Sequence, residues 1–225
     1  MGAAATSGPL HAEWLKLKGC LFDPITRLPT LPAVVDNVRV RLERGETLGL
    51  LYVDLSSDGR YEAIYGWQVY DHMLRLVAQR LQASRGDLYG LDDELAQVSI
   101  RAGEFVLFLG LDEPAKERLE SIYQTVSEDL RRSLEVAREL SGQPMPPLLT
   151  AAVAIDSVPT IRPERSIYQC LQEARMHCRA QSQKRQTGRL ADLLRLLEKR
   201  NLVIRYQPIL DLTDGHIHGF EALSA

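Results

Sequence analysis

Apolar residues recur along this chain with two different periods, and these periods divide most of it into amphipathic helices and short strands. Helices with one apolar face are predicted at 31–44, 67–82, 113–140 and 165–181, with shorter helices at 10–18 and 190–199. Apolar runs of strand length predict strands at 48–55, 97–101, 104–109 and 148–155. A tight turn at Ala102-Gly103 is expected to join the second and third of these strands into a hairpin.

The end of the chain has a second hairpin pattern. Apolar runs at 202–210 and 216–223 flank Asp214-Gly215, and an Asp-Gly pair between such runs is a strong hairpin signal. A hairpin alone is only marginally stable in water. We therefore expect this one to be poorly packed, docked on the rest of the chain, or paired with another chain.

The order of the predicted elements indicates the fold class. The succession α–β–α–β–β–α–β–α suggests an α/β sandwich, in which helices pack around a sheet that contains antiparallel strands. The motifs GxGxxG, GxxxxGK[ST] and HExxH do not occur in the sequence. Asp54 ends an apolar strand, a position where sites in α/β sheets tend to lie.

The composition favours a globular protein and argues against several classes of partner. The chain is 45% hydrophobic and 25% charged, and no apolar run approaches the ~20 residues of a membrane helix. A net charge of −3 argues against nucleic acid as a partner. Cys20, Cys170 and Cys178 form no CxxC pair, and such a sparse, odd count is typical of the cytoplasm.

Four ordered segments in the body of the chain resemble GGDEF domains, the diguanylate cyclase family. Residues 23–29 read DPITRLP, where that family has DxLTGLP. Asp54, Gly66, Asp71 and Leu74 fall at the spacing of DxDxFKxxNDxxGHxxGDxxL. Residues 101–109 stand where RxGGDEFxxLL belongs, and 171–179 resemble ADxALYxAK. The resemblance covers about residues 21–185 and implies a nucleotidyl-cyclase-like sheet with helices packed around it.

The resemblance also implies a chemistry that this sequence has partly lost. Active members condense two GTP molecules into cyclic di-GMP, with two Mg²⁺ ions held by carboxylates. Asp54 corresponds to one metal carboxylate, whereas ungapped alignment places the other at Gly103; a two-residue deletion in the hairpin would remove that acid as well. Glu104 is the remnant of the acid pair. Because neighbouring strand residues point to opposite faces, we do not expect Glu104 simply to substitute for it.

The nucleotide contacts implied by the resemblance are also altered. Asp71 keeps one of the two guanine-reading residues, while Glu62 replaces an asparagine and cannot donate a hydrogen bond when ionised. Arg179 replaces the phosphate-binding lysine. The inhibitory RxxD motif is absent, since 91–95 read LDDEL. If a nucleotide binds, we expect it at Asp54, Glu62, Asp71 and Arg179, with Mg²⁺ on Asp54.

The last ~25 residues resemble the opening of an EAL domain, the cyclic-di-GMP phosphodiesterase family. The matching positions are 206–208 (YQP), Asp211, Gly215, Gly219 and 221–223 (EAL), whereas Ala225 stands where the family has Arg. An EAL domain is a TIM-type barrel of ~250 residues, so the chain is expected to hold only its first two strands. In a complete barrel, the resemblance makes Glu221 a metal ligand and Gln207 a substrate contact.

Together these patterns predict three segments and one function. Residues 1–20 are a linker and lead helix, 21–185 a degenerate GGDEF-like domain, and 186–225 a connecting helix with a truncated EAL hairpin. The predicted function is cyclic-di-GMP signalling, in which an inactive GGDEF-like domain regulates the EAL domain by dimerising or by weakly binding GTP. Two alternatives stay open: an atypical active cyclase that uses Glu104 or Asp58 as the missing ligand, and an interaction module without nucleotide. Expected partners are GTP or cyclic di-GMP, the rest of the EAL domain, and a second copy of the chain.

Overall fold

The structure is a computed structural model of the 225-residue chain, and it describes residues 14, 17, 19–55, 62–63, 66–112, 114–142, 145–155, 162–198 and 204–224. The chain forms two compact units, Met1–Ala180 and Gln181–Ala225. The elements are α1 (Leu31–Glu43), β1 (Leu48–Asp54), α2 (Trp67–Ala83), β2 (Glu94–Gln97), β3 (Glu104–Gly110), α3 (Ala115–Ser141), β4 (Leu149–Ile155), α4 (Pro163–Glu198), β5 (Ile204–Leu210) and β6 (Ile217–Ser224). Their order confirms the predicted α/β succession.

The first unit is built on a four-stranded sheet in the order β2-β3-β1-β4, with every neighbouring pair antiparallel. Helices cover both faces of the sheet, so β1 is apolar along nearly its whole length. On one face Leu51 and Val53 pack with the apolar sides of α2 and α3. On the other face Leu50 and Tyr52 pack with α1 and the first half of α4. Alternate residues of each central strand therefore serve two separate cores.

The predicted hairpin at Ala102-Gly103 is wrong in its details. Strand β2 is Glu94–Gln97 rather than 97–101, and its register with β3 ends at the pair Gln97 and Phe105. Residues 98–103 form a wider loop, in which Arg101 has a φ of 57°. The alternation of Val98 and Ile100 resembles a strand, but the left-handed backbone at Arg101 ends the extended conformation.

Helix α4 is one continuous helix of 36 residues, although the sequence predicts two helices at 165–181 and 190–199. The intervening residues are mostly Gln, Lys and Arg, which are good helix formers. Gly188 lies within the helix, where a single glycine costs only about 1 kcal/mol. The predicted helix at 10–18 falls largely outside the described residues; Trp14 and Leu17 are helical.

The second unit contains the predicted terminal hairpin, β5 paired antiparallel with β6. Its turn places Gly215 at a φ of 73°, a left-handed conformation that glycine adopts without steric cost. Several apolar side chains of this hairpin are exposed, among them Tyr206 and Phe220. None of the helices in the described part of the chain is long and apolar enough to cross a membrane.

Candidate functional site

Two carboxylates meet where β1 ends and β3 begins. Asp54 is the direct partner of Glu104 in the antiparallel register. Residues directly opposite each other share a face of the sheet, with Cβ atoms about 4.5–5.5 Å apart. Glu104 therefore lies on the same face of the sheet as Asp54. Comparison of Glu104 with its neighbour Gly103 alone did not predict this.

An arginine from α4 binds the carboxylate of Glu104 with both arms of its guanidinium. Arg175 Nε donates to Glu104 Oε1 at 2.8 Å, and Arg175 Nη2 donates to Oε2 at 2.7 Å. The Tyr52 hydroxyl also donates to Oε1. The ion pair is well shielded, because the Arg175 and Glu104 side chains are only 25% and 20% exposed. Such bidentate pairs are among the stronger protein hydrogen bonds.

Burial and the hydrogen bonds of the ion pair together determine the protonation of Glu104, Arg175 and Tyr52. Burial favours a higher pKa for Glu104, but hydrogen bonds from Arg175 and Tyr52 outweigh burial, and the net pKa is lowered. The pKa of Arg175 is raised, chiefly by its hydrogen bond to Glu104. The pKa of Tyr52 is raised, first by burial and then by its hydrogen bond to Glu104. At neutral pH the site therefore holds a carboxylate, a guanidinium and a neutral phenol.

Tyr70 of α2 lies within electrostatic range of several acids predicted for the site. Burial raises the pKa of Tyr70 to about 12, and four nearby carboxylates add to the shift. These carboxylates belong to Asp54, Glu62, Glu104 and Asp71. The acids that the resemblance selects thus act on one tyrosine, and Glu62 among them is exposed. Arg179, also exposed on α4, lies close enough to Glu104 to contribute to the lowering of its pKa.

The loop that precedes Glu104 is held by a buried carboxylate far from it in sequence. Asp23 Oδ2 accepts a 2.7 Å hydrogen bond from the Arg101 amide. Its Oδ1 accepts hydrogen bonds from the Ile25 and Thr26 amides at 2.9 and 2.8 Å. Asp23 is 1% exposed, so these bonds are protected from water. The segment that resembles DxLTGLP therefore fixes the shape of the hairpin loop.

A magnesium ion does not fit the carboxylates as the side chains stand. Mg²⁺ requires near-octahedral oxygen ligands at about 2.0–2.1 Å. Residue 103 is glycine, and both carboxylate oxygens of Glu104 are bound by Arg175. In the part of the chain that the structure describes, no three His, Cys, Asp or Glu side chains are grouped so as to hold a metal ion. Asp58, the other predicted substitute ligand, lies outside the described residues.

The two site residues predicted in the second unit are also neighbours. Gln207 of β5 and Glu221 of β6 are direct register partners, so their side chains share one face of the hairpin. Both side chains are exposed.

Sequence reasoning missed three residues of the first unit's site, Tyr52, Tyr70 and Arg175. Tyr52 precedes Asp54 by two positions on a strand, so strand periodicity places the two on one face. Arg175 stands where the ADxALYxAK pattern has leucine, and it precedes Arg179 by one helical turn. A charged residue at an apolar position of the pattern was the signal that could have found it.

The chain is similar in sequence to a curated protein of Pseudomonas aeruginosa, the bifunctional diguanylate cyclase/cyclic di-GMP phosphodiesterase MucR. The two are 27% identical over 219 residues, which cover 90% of this chain and 30% of that protein. The chain thus spans less than a third of the length of its curated relative. No protein-family model matches the chain.

Solved structures give the fold. The Vibrio cholerae LapD S helix-GGDEF-EAL structure, bound to c-di-GMP, has a TM-score of 0.52 at 19% identity, covering 98% of this chain and 52% of that one. The coiled coil and GGDEF domain of DgcB from Caulobacter crescentus, in complex with c-di-GMP, has a TM-score of 0.51 at 16% identity, covering 78% and 87%. The chain therefore has the α/β fold of GGDEF domains.

Proposed function

We propose that this chain is the control portion of a cyclic-di-GMP signalling protein. Its first unit is a GGDEF-fold domain that does not synthesise cyclic di-GMP, and the terminal hairpin is the opening of an EAL domain that this unit regulates. The fold and the similarity to MucR support the signalling system. The geometry around Glu104 supports the loss of synthesis.

The observation that carries the proposal is the bidentate ion pair between Arg175 and Glu104. Cyclase chemistry depends on metal-bound carboxylates that neutralise the phosphates of GTP. Here Gly103 supplies no carboxylate, and the carboxylate of Glu104 is committed to an internal cation. Asp54 remains as the strand-end acid of the pattern, and one carboxylate alone does not hold the two metal ions that the reaction needs.

A weakened nucleotide site would still serve regulation. Asp71 and Arg179 retain groups suited to guanine and phosphate, and Asp71 lies with Asp54 near Tyr70. Glu62 supplies only acceptors where an amide would also donate, so recognition of guanine is expected to be poor. These residues support weak GTP binding without turnover, through which the domain regulates its neighbour.

The terminal hairpin supports an adjoining EAL domain. Gln207 and Glu221, the two residues that the EAL pattern selects, are paired across its strands. The LapD structure that the chain resembles contains a GGDEF and an EAL domain in that order. In a complete barrel, Glu221 would bind a metal ion and Gln207 would contact the substrate.

Regulation by self-association is favoured by an exposed apolar stripe on α4. Four leucines are spaced as neighbours on one helix face and are each about half exposed: Leu190, Leu193, Leu194 and Leu197. Sedimentation of the chain across a concentration series tests this second route. Dimerisation is expected in the wild type and should be lost in a Leu193→Asp variant.

Turnover of GTP tests the central proposal. The chain is incubated with GTP and either Mg²⁺ or Mn²⁺, and cyclic di-GMP is measured by mass spectrometry. We expect no product from the wild type or from Asp54→Ala. The atypical active cyclase would be established instead if the wild type and the exposed-site control Asp36→Ala formed product and Asp54→Ala formed none.

A thermal shift with GTP then separates weak binding from a module without nucleotide. A ligand at 100 times its Kd stabilises the folded state by about 2.7 kcal/mol. We expect a shift at millimolar GTP that decreases in Asp71→Ala. No shift at that concentration would favour an interaction module that takes no nucleotide.

A further inference from the structure

We propose that Arg175 is a built-in cation that takes the place of the divalent metal ion at the strand-end carboxylates. The guanidinium of Arg175 then supplies the positive charge that a metal ion would otherwise provide, and Mg²⁺ does not bind at this end of the sheet. This inference deepens the proposed function and rests on it, since both start from the ion pair between Arg175 and Glu104.

The first support is the geometry of the ion pair. Both Glu104 oxygens accept from Arg175, at 2.8 and 2.7 Å, and Oε1 accepts from Tyr52 as well. A metal ion that took Glu104 as a ligand would need at least one of these oxygens in its coordination shell. The guanidinium binds the carboxylate through two parallel hydrogen bonds. A metal ion that displaced the guanidinium would therefore have to compensate for the loss of both hydrogen bonds.

The second support is the balance of charge. Asp54 and Glu104 together carry two negative charges on one face of the sheet. Arg175 neutralises Glu104 directly, and Arg179 acts on the same carboxylate from the next helical turn. A divalent ion that bound Glu104 would be repelled by the positive charge of Arg175 in direct contact and by that of Arg179 nearby. Mg²⁺, which gives up water reluctantly, is disfavoured further.

The third support is that α4 holds Arg175 in place by packing. Leu171, Ala174 and Cys178 on the same helix are buried against the sheet. These contacts fix the rotation of the helix, so residue 175 is presented to the end of β3 whatever its side chain. The pattern that the helix resembles has leucine at that position, and leucine would leave Glu104 without its cation.

Manganese binding tests the proposal directly. Mn²⁺ prefers the same oxygen ligands as Mg²⁺, and its free concentration is measured by electron paramagnetic resonance. Mn²⁺ is titrated into the wild-type 225-residue chain and into five variants. These are Arg175→Leu, Arg165→Leu, Asp54→Asn, Glu104→Gln, and the double variant Arg175→Leu with Asp54→Asn. Arg165 is an exposed arginine of the same helix, so its variant carries the same net charge as Arg175→Leu.

The expected result is a gain of binding. Wild type and Arg165→Leu should show no Mn²⁺ binding that depends on Asp54, whereas Arg175→Leu should gain Mn²⁺ binding that depends on Asp54. Its binding should disappear in the double variant. The same gain of Mn²⁺ binding is expected for Arg175→Met. This variant replaces Arg175→Leu if circular dichroism shows that the leucine variant is unfolded.

Two results would overturn the proposal. One is Mn²⁺ binding by the wild type that is lost in Asp54→Asn or Glu104→Gln. The other is a folded Arg175 variant that binds Mn²⁺ no better than Arg165→Leu. Either outcome leaves the GTP turnover result untouched, so failure of this inference is distinguishable from failure of the proposed function.

Discussion

Replacing Asp23 with alanine should destabilise the first unit by about 4 kcal/mol, as worked from the three backbone hydrogen bonds that its carboxylate accepts. Three backbone amides lose their acceptor, those of Ile25, Thr26 and Arg101. An unsatisfied buried donor costs about 1–3 kcal/mol. The Thr26 bond is buried and the other two are part-buried, so about 2 kcal/mol for the first and about 1 kcal/mol for each of the others is reasonable.

Asparagine at the same position separates hydrogen bonding from packing. An Asp23→Asn side chain can keep the oxygen that faces Ile25 and Thr26. Its amide nitrogen then faces the Arg101 amide, and two donors cannot bond to each other. We therefore expect the free energy of unfolding to fall by only about 1–2 kcal/mol, because only the hydrogen bond to the Arg101 amide is lost.

Equilibrium urea unfolding followed by circular dichroism measures both variants. Asp36→Ala is the control, since that side chain is 83% exposed and makes only a 3.5 Å contact with Arg39; it should change stability by less than about 0.5 kcal/mol. The prediction is refuted if the free energy of unfolding of Asp23→Ala lies within about 1 kcal/mol of the wild-type value. It fails equally if alanine and asparagine have the same effect.

Two further predictions concern the same region. The pKa of Glu104 is lowered in the folded state from its ordinary 4.5, so the stability from its ionised form is present above that value and is lost as pH falls below it. The advantage of the wild type over Glu104→Gln in urea midpoint should therefore be constant above about pH 5.5 and should shrink as pH falls below about 4.5, and an advantage independent of pH would contradict this. Arg27 has a φ of 65° and an exposed side chain where the family pattern has glycine. Arg27→Gly should stabilise the unit by about 1 kcal/mol in the same assay. The matched change Arg44→Gly, at a helix end with a φ of −77°, should instead destabilise it, and two changes of the same sign would refute the role of backbone strain.

The fold was predictable from the sequence where burial leaves a local pattern. Strand β1 was predicted to within one residue, because a strand covered on both faces is apolar throughout. The loop at 98–103 was not predictable, since its shape depends on Asp23, far away in the sequence. Helix α4 was divided wrongly because a polar exposed stretch with one glycine resembles a linker, whereas its residues have ordinary helix propensity.

The site residues that the resemblance selects stay a prediction, whereas their electrostatic setting was not predictable at all. The resemblance selected Asp54, Asp71 and Glu62, all of which act on the pKa of Tyr70. It could not give the pairing of Glu104 with Arg175, because a motif records which residue types recur and not which partners they contact. The register of β1 against β3, which places Asp54 opposite Glu104, depends on hydrogen bonding between strands that are distant in sequence.

The bond between Asp23 and the Arg101 amide also bears on how this domain assembles. It joins positions that are 78 residues apart, and contacts of large sequence separation bear a high loop-closure cost and slow the folding of a chain. Strands β2 and β3 can pair through local contacts alone, but the loop between them acquires its final shape only after the turn before α1 has docked. We therefore expect the hairpin strands to form first, the turn to dock next, and the loop that presents Glu104 to take its shape last.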